Sequence, residues 1–232
     1  MIRYPARYRC SLLLVVAMAS GCARTSPTRH EDRPIPADRV LDFATLYARN
    51  CAGCHGADGQ FGPAPPLNDP LFLAIVPDDV VSMIVDEGRP GTPMPAFSRR
   101  YGGPLTDEQI RALAEGIKPR WKSDRAGPAP PAYSSAGGKG DPGRGREVFA
   151  KVCATCHGDE GRGGEKKVGP IHDPAFLALI SDQALRRFII TGRRDLKMPD
   201  FAGKDGRPDD FKPLTPAEVA DLVALLSSWR AD

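Results

Sequence analysis

The chain has 232 residues, enough for two domains of about 100 residues by the usual size of a compact unit. Its formal charge of +3 rests on Arg3, Arg7 and Arg9; beyond them 29 basic residues face 29 acidic ones, a balance that points away from nucleic acid. Of six cysteines, four lie in two short motifs and the others are Cys10 and Cys22, so none is left for disulfides in the folded part.

Residues 1–21 join a basic start to a short apolar run, Leu12 to Ala19, followed by small residues. This reads as a secretory signal, too short to span a bilayer in the mature protein. Ala19-Ser20-Gly21-Cys22 resembles the bacterial lipoprotein cleavage box, in which the cysteine becomes the acylated first residue, although leucine is usual where Ala19 stands. An ordinary signal peptide with an incidental cysteine is the alternative. Residues 22–37, rich in Pro, Arg, Thr and Asp, read as a tether lifting the globular part off a membrane, with His30 solvated within it.

From Asp38, taken as a helix cap, Val40, Leu41, Ala44, Thr45 and Ala48 recur at helical spacing and run into Cys51-Ala52-Gly53-Cys54-His55. Arg146 to Val152 lead in the same way into Cys153-Ala154-Thr155-Cys156-His157. One such motif could be half a zinc site or a thioredoxin-like redox pair. Two complete motifs, 102 residues apart, are poorly placed to share one tetrahedral zinc. C-x-x-C-H is instead the attachment signature of a c-type haem. Two thiols three positions apart can add to the two neighbouring porphyrin vinyl groups while the adjacent imidazole reaches the iron.

Similarity continues past the motifs, as an internal repeat requires. Gly56-Ala57-Asp58-Gly59 answers Gly158-Asp159-Glu160-Gly161, and Pro66-Leu67-Asn68-Asp69-Pro70 answers Pro170-Ile171-His172-Asp173-Pro174. From Asp38 to its end the chain thus resembles a tandem dihaem class I c-type cytochrome. The resemblance implies an all-α chain with two haem c groups (iron) as cofactors: a haem domain over 38–119, a flexible linker over 120–145 and a second haem domain over 146–232. It also implies haem attachment outside the cytoplasm, in accord with an exported protein. His55 and His157 would ligate iron, and the carbonyls of Pro66 and Pro170 would hold their Nδ1–H groups. His172 could be a rival ligand, but Asn68 stands in its place in the first copy, so a surface histidine is the reading.

Helices are predicted over Asp78–Glu87 and Asp182–Thr191, closed by Gly88 and Gly192 as left-handed caps. They lead to Thr92-Pro93-Met94-Pro95 and Lys197-Met198-Pro199, with the methionines 39 and 41 residues after the respective histidines. Proline stiffens each loop, so Met94 and Met198 are the candidate sixth ligands. Met83, mid-helix with an arginine opposite it in the repeat, is read as packing. Each half closes with a capping box, Thr106 with Gln109 and Thr215 with Glu218, before an apolar helical stripe. In the linker, Gly137-Gly138-Lys139-Gly140 looks superficially like a phosphate loop but lacks the preceding strand and the required spacing.

The implied chemistry is outer-sphere electron transfer in the respiratory chain, with both axial ligands retained. Expected partners are a quinol-oxidising complex or cytochrome upstream and an oxidase or reductase downstream, reached from a membrane-anchored position in the periplasm. The rival is a dihaem enzyme of peroxidase or thiosulfate-oxidising type with an exchangeable iron ligand. Arg193, Arg194 and Lys197 against Asp195 give the second methionine loop one more positive charge than the first, which has Arg89. On that count the second haem is expected at the higher potential.

Overall fold

The computed structural model describes residues 34–121, 128–135, 138–164 and 168–230. The expected signal segment, Cys10, Cys22, His30 and Gly137 lie outside them. Contacts divide the chain after Arg39. Ala37–Arg39, a turn of 3-10 helix, belongs to the first unit. The helical repeat is built from Val40 onward.

Among the described residues the architecture is all-α, with only two isolated bridges, Ser98 with Leu105 and Arg193 with Met198. In the first half α1 (Phe43–Asn50) runs into a single helical turn, α2 (Ala52–His55). Three more helices follow: α3 (Pro70–Ile75), α4 (Asp78–Glu87) and α5 (Asp107–Trp121). The second half repeats the series as α6 (Pro142–Val152), α7 (Ala154–His157), α8 (Pro174–Ala178), α9 (Asp182–Thr191) and α10 (Pro216–Ser228).

Local chemistry explains most of the boundaries. Asp42, not Asp38, starts α1, because the Asp42 carboxylate accepts the Thr45 N–H at 2.8 Å and the Thr45 hydroxyl at 2.7 Å. Asp69 and Asp173 cap α3 and α8 in the same way, accepting from the N–H groups of Phe72 and Phe176. Both expected capping boxes form: Thr106 with Gln109, and Thr215 with Glu218. Gly88 and Gly192 end α4 and α9 with φ of 71° and 67° but ψ of −158° and −168°. That extended conformation, rather than the expected left-handed cap, is essentially restricted to glycine. It turns the chain straight back along the helix end.

The last helix of each half crosses the first. Trp121 meets Tyr47 edge-on at 5.2 Å, and Trp229 meets Phe149 at 5.3 Å. The room for close approach is made on opposite partners: a Cβ on Gly116 of α5 would strike the Phe43 ring, whereas in the second half a Cβ on Gly145 of α6 would strike the Asp221 carbonyl.

Residues 128–135 depart from the flexible linker expected over 120–145, whose two ends are also taken up by α5 and α6. Tyr133 is 4% exposed in a cluster with Phe72, Leu73, Val76, Val81 and Ile117. Its hydroxyl accepts from Arg89, and its carbonyl accepts from Gln183 and Arg186. Leu71 and Ile75 of α3 in turn pack against the core of the second half. The two halves are therefore in direct contact through apolar surface and through this strap.

Candidate haem centres

In each half the first helix delivers its last turn to the motif. Cys54 and His55 donate their backbone N–H groups to the Cys51 carbonyl at 3.1 and 2.9 Å; Cys156 and His157 do the same to Cys153 at 3.1 and 3.0 Å. This winds both thiols and the imidazole onto one turn of helix, the local geometry that double attachment and ligation need. All four thiols are free. Burial pushes the Cys51 and Cys153 thiols up to about 11, so both stay protonated at neutral pH. Such thiols retain the S–H that adds across a vinyl group.

His55 Nδ1 donates to the carbonyl of Pro65 at 2.8 Å. A carbonyl only accepts, so Nδ1 carries the proton and Nε2 keeps the lone pair that can bind iron. The expected acceptor, Pro66, is thereby corrected by one residue. The reason is register: Leu67 donates its N–H to Gly59 at 2.7 Å, fixing the turn so that the carbonyl two residues earlier faces the imidazole. Pro66 gives its own carbonyl to Arg187 instead. In the second half Ile171 donates to Gly161 at 2.8 Å, which places Gly169, not Pro170, in the acceptor's position. The Gly169 carbonyl acts on His157 electrostatically, yet His157 Nδ1 is buried without a hydrogen bond of good geometry among the described residues. Burial pushes both imidazoles below their usual value, leaving them neutral and able to donate a lone pair.

The methionine loops are locked to the helix ends. Arg89 N–H donates to the Met94 carbonyl at 3.0 Å and Arg193 N–H to the Met198 carbonyl at 3.1 Å. A Cβ on Gly88 would lie 2.5 Å from Pro95, and one on Gly192 2.5 Å from Met198. Both methionines are partly buried.

His172 is neither a surface histidine nor free for iron. It is 9% exposed, stacks on Trp229 at 4.4 Å and 5°, and donates from Nδ1 to Glu160 at 3.0 Å. Asn68 does the same for Asp58 at 2.8 Å, so the two side chains close equivalent loops. Met83, expected to pack, is 49% exposed, whereas its counterpart in the repeat, Arg187, is 6% exposed. The charge count that favoured the second haem also changes. Arg193 donates from Nε and Nη2 to Asp195, at 2.9 and 2.8 Å, and Arg89 and Arg187 both act on His55. Arg207, in the longer loop after Met198, lies beside the second motif and donates to Val152 at 2.8 Å. Sequence reading missed Pro65, Gly169, Arg187 and Arg207. The signal available for Arg187 was an arginine in the middle of an amphipathic helix.

These residues fit two haem c groups: paired free thiols and a neutral imidazole twice over, with the tautomer fixed by a hydrogen bond at His55. Bound haem supplies an iron that alternates between ferric and ferrous states. The protein's part would be to hold that iron's environment constant, through the His55 Nδ1 bond in the first half and the helix packing behind each motif, so that little rearranges when the charge changes.

The sequence family described as cytochrome c oxidase, cbb3-type, subunit III matches residues 38–115 and 140–225. The cbb3-type cytochrome c oxidase subunit FixPc of Rhizobium leguminosarum bv. viciae is 27% identical over 177 residues, covering 72% of this chain and 56% of that protein. Subunit FixP of Azorhizobium caulinodans is 31% identical over 178 residues, covering 73% and 55%. The chain thus spans about half the length of these relatives. A chain of the Kuenenia stuttgartiensis reducing HAO-like protein complex aligns over 85% of this chain and 99% of its own, at 20% identity and a TM-score of 0.44. The chain belongs to the cbb3-type cytochrome c oxidase subunit III family, with two tandem c-type haem domains.

Proposed function

We propose that the protein is an exported, membrane-attached carrier that takes single electrons from a quinol-oxidising complex or another cytochrome and passes them to a terminal oxidase or reductase. The observation that carries this reading is the duplicated turn, in which free thiols and a Pro65- or Gly169-facing imidazole recur behind equivalent helix crossings. Met94 and Met198 serve as sixth ligands, and thioether with imidazole favours ferrous iron, raising the potential. With both axial positions filled by the protein, the reaction is electron transfer rather than turnover of a substrate at iron. The relatives are named as subunits of cbb3-type oxidases, which supports an oxidase of that kind as the downstream partner.

No helix among the described residues is long and apolar enough to cross a membrane. Attachment through an acylated Cys22 facing the periplasm is the route we favour, on the lipoprotein-like residues before it. Changing Cys22 to Ser is expected to move the processed protein from the membrane to the soluble fraction; a processed variant that stays on the membrane argues for another anchor. The function itself is tested by mixing the reduced holoprotein with purified cbb3-type oxidase under oxygen. Reoxidation that depends on the oxidase is expected, and equal rates with and without the oxidase would refute the pairing.

A further inference from the structure

We propose that Arg187, carried by the second half, is a positioning residue that raises the potential of the haem in the first half: its guanidinium is buried one peptide unit from the carbonyl that holds His55. Consecutive carbonyls share the task. Pro65 accepts from His55 Nδ1 at 2.8 Å, and Pro66 accepts from Arg187 Nη2. Neighbouring Cα atoms lie about 3.8 Å apart, so the cation sits close behind the proximal ligand. The guanidinium also lies flat on the Phe72 ring, with its central carbon 3.5 Å from the centroid. Its Nε has no hydrogen-bond partner among the described residues.

This arrangement leaves the positive charge weakly screened. No carboxylate forms an ion pair with Arg187 among the described residues, although Asp69, itself 6% exposed, acts on it at longer range. Reduction removes one positive charge from the haem iron, so a fixed cation nearby favours the ferrous form, and burial lengthens its reach. The influence runs one way. The position equivalent to Arg187 in the first half holds the exposed, uncharged Met83, and the half-buried guanidinium beside the second motif, Arg207, comes from that motif's own half. The second half thus sets the first haem's driving force, and the first half has no matching device among the described residues.

The inference rests on the proposed haem in the first half with His55 as its ligand, so the test begins by counting haem on the full-length holoprotein and recording its ferrous spectrum; two low-spin haems per chain establish attachment and ligation independently of any shift in potential. Redox titration then compares Arg187→Met and Asp69→Asn with the wild type. Arg187→Met is expected to lower one of the two waves, so that at the original midpoint the ratio of reduced to oxidised haem falls several-fold; tenfold would correspond to about 59 mV for one electron. Asp69→Asn keeps an oxygen to cap α3 but removes the opposing charge, and is expected to raise the same wave. That wave is the one displaced by Met94→His, and the other holds still. Opposite shifts are what distinguish charge from damaged packing. The proposal is overturned if both variants move the wave in one direction, if neither moves it, or if the second haem's wave moves instead. Should Arg187→Met fail to fold, the direction of the Asp69→Asn shift decides alone.

Discussion

Gly88 and Gly192 combine positive φ with a backbone that touches the methionine loop, and both conditions exclude a side chain. Changing Gly192 to Ala puts a methyl group 2.5 Å from the Met198 carbonyl and forces a conformation that costs roughly 1–3 kcal/mol by itself. The expected result is a lower melting temperature together with a changed ligation spectrum at one haem, because the loop that presents Met198 must move. An unchanged spectrum would show that the loop does not depend on this contact. The imidazole acceptors were harder to read. A proline beside the motif was legible in the sequence, but which of two adjacent carbonyls faces the ring depends on the Leu67 hydrogen bond to Gly59, and nothing in local sequence distinguishes Pro65 from Pro66. In the second half the equivalent carbonyl belongs to Gly169, so no proline ring stands at that position.

The helices themselves were largely readable. The bounds of α4 and α9 follow from apolar periodicity closed by glycine, and α5 and α10 follow from their capping boxes. Asp42 was missed because Asp38 offers the same chemistry four residues earlier. Asp221 was also invisible: it stands in the middle of α10, 5% exposed, with partners 77 and 80 residues away. Arg144 binds its carboxylate at 2.9 and 3.0 Å, and the Asp141 N–H adds a bond at 2.7 Å, so α10 is fastened to the start of α6. The Arg144 hydrogen bonds, followed by the Asp141 N–H, hold this carboxyl below its usual value. A carboxyl lowered in the folded state stabilises the fold at pH above the unfolded value of about 3.9, and that contribution is lost as pH falls through the folded value. Asp221→Asn should therefore melt below the wild type at pH 7, with the gap closing as the pH falls below about 4 and through the lowered folded value. A gap that stays constant would mean the site contributes by shape and not by charge.

Across the full chain, the duplication was plain from the motifs, but the contact between the halves was not. A Pro- and Gly-rich stretch reads as a linker, and only the fold shows Tyr133 buried under it, with Arg89 on one side and Gln183 and Arg186 on the other. Arg187 follows the same logic, since its environment is made by Pro66 and Phe72 in the opposite half. Such long-range polar contacts leave no periodic trace, whereas the apolar stripes of α5 and α10 do. On the function proposed above, the assembled halves offer a pair of one-electron centres, each closed by protein ligands on both sides of the iron. The most direct test is a spectropotentiometric titration of the purified holoprotein, run with and without carbon monoxide. Two one-electron waves per chain, with ferrous spectra unchanged by carbon monoxide, are predicted. A single wave from one haem per chain, or a ferrous haem that binds carbon monoxide readily, would be incompatible with two closed electron-transfer centres.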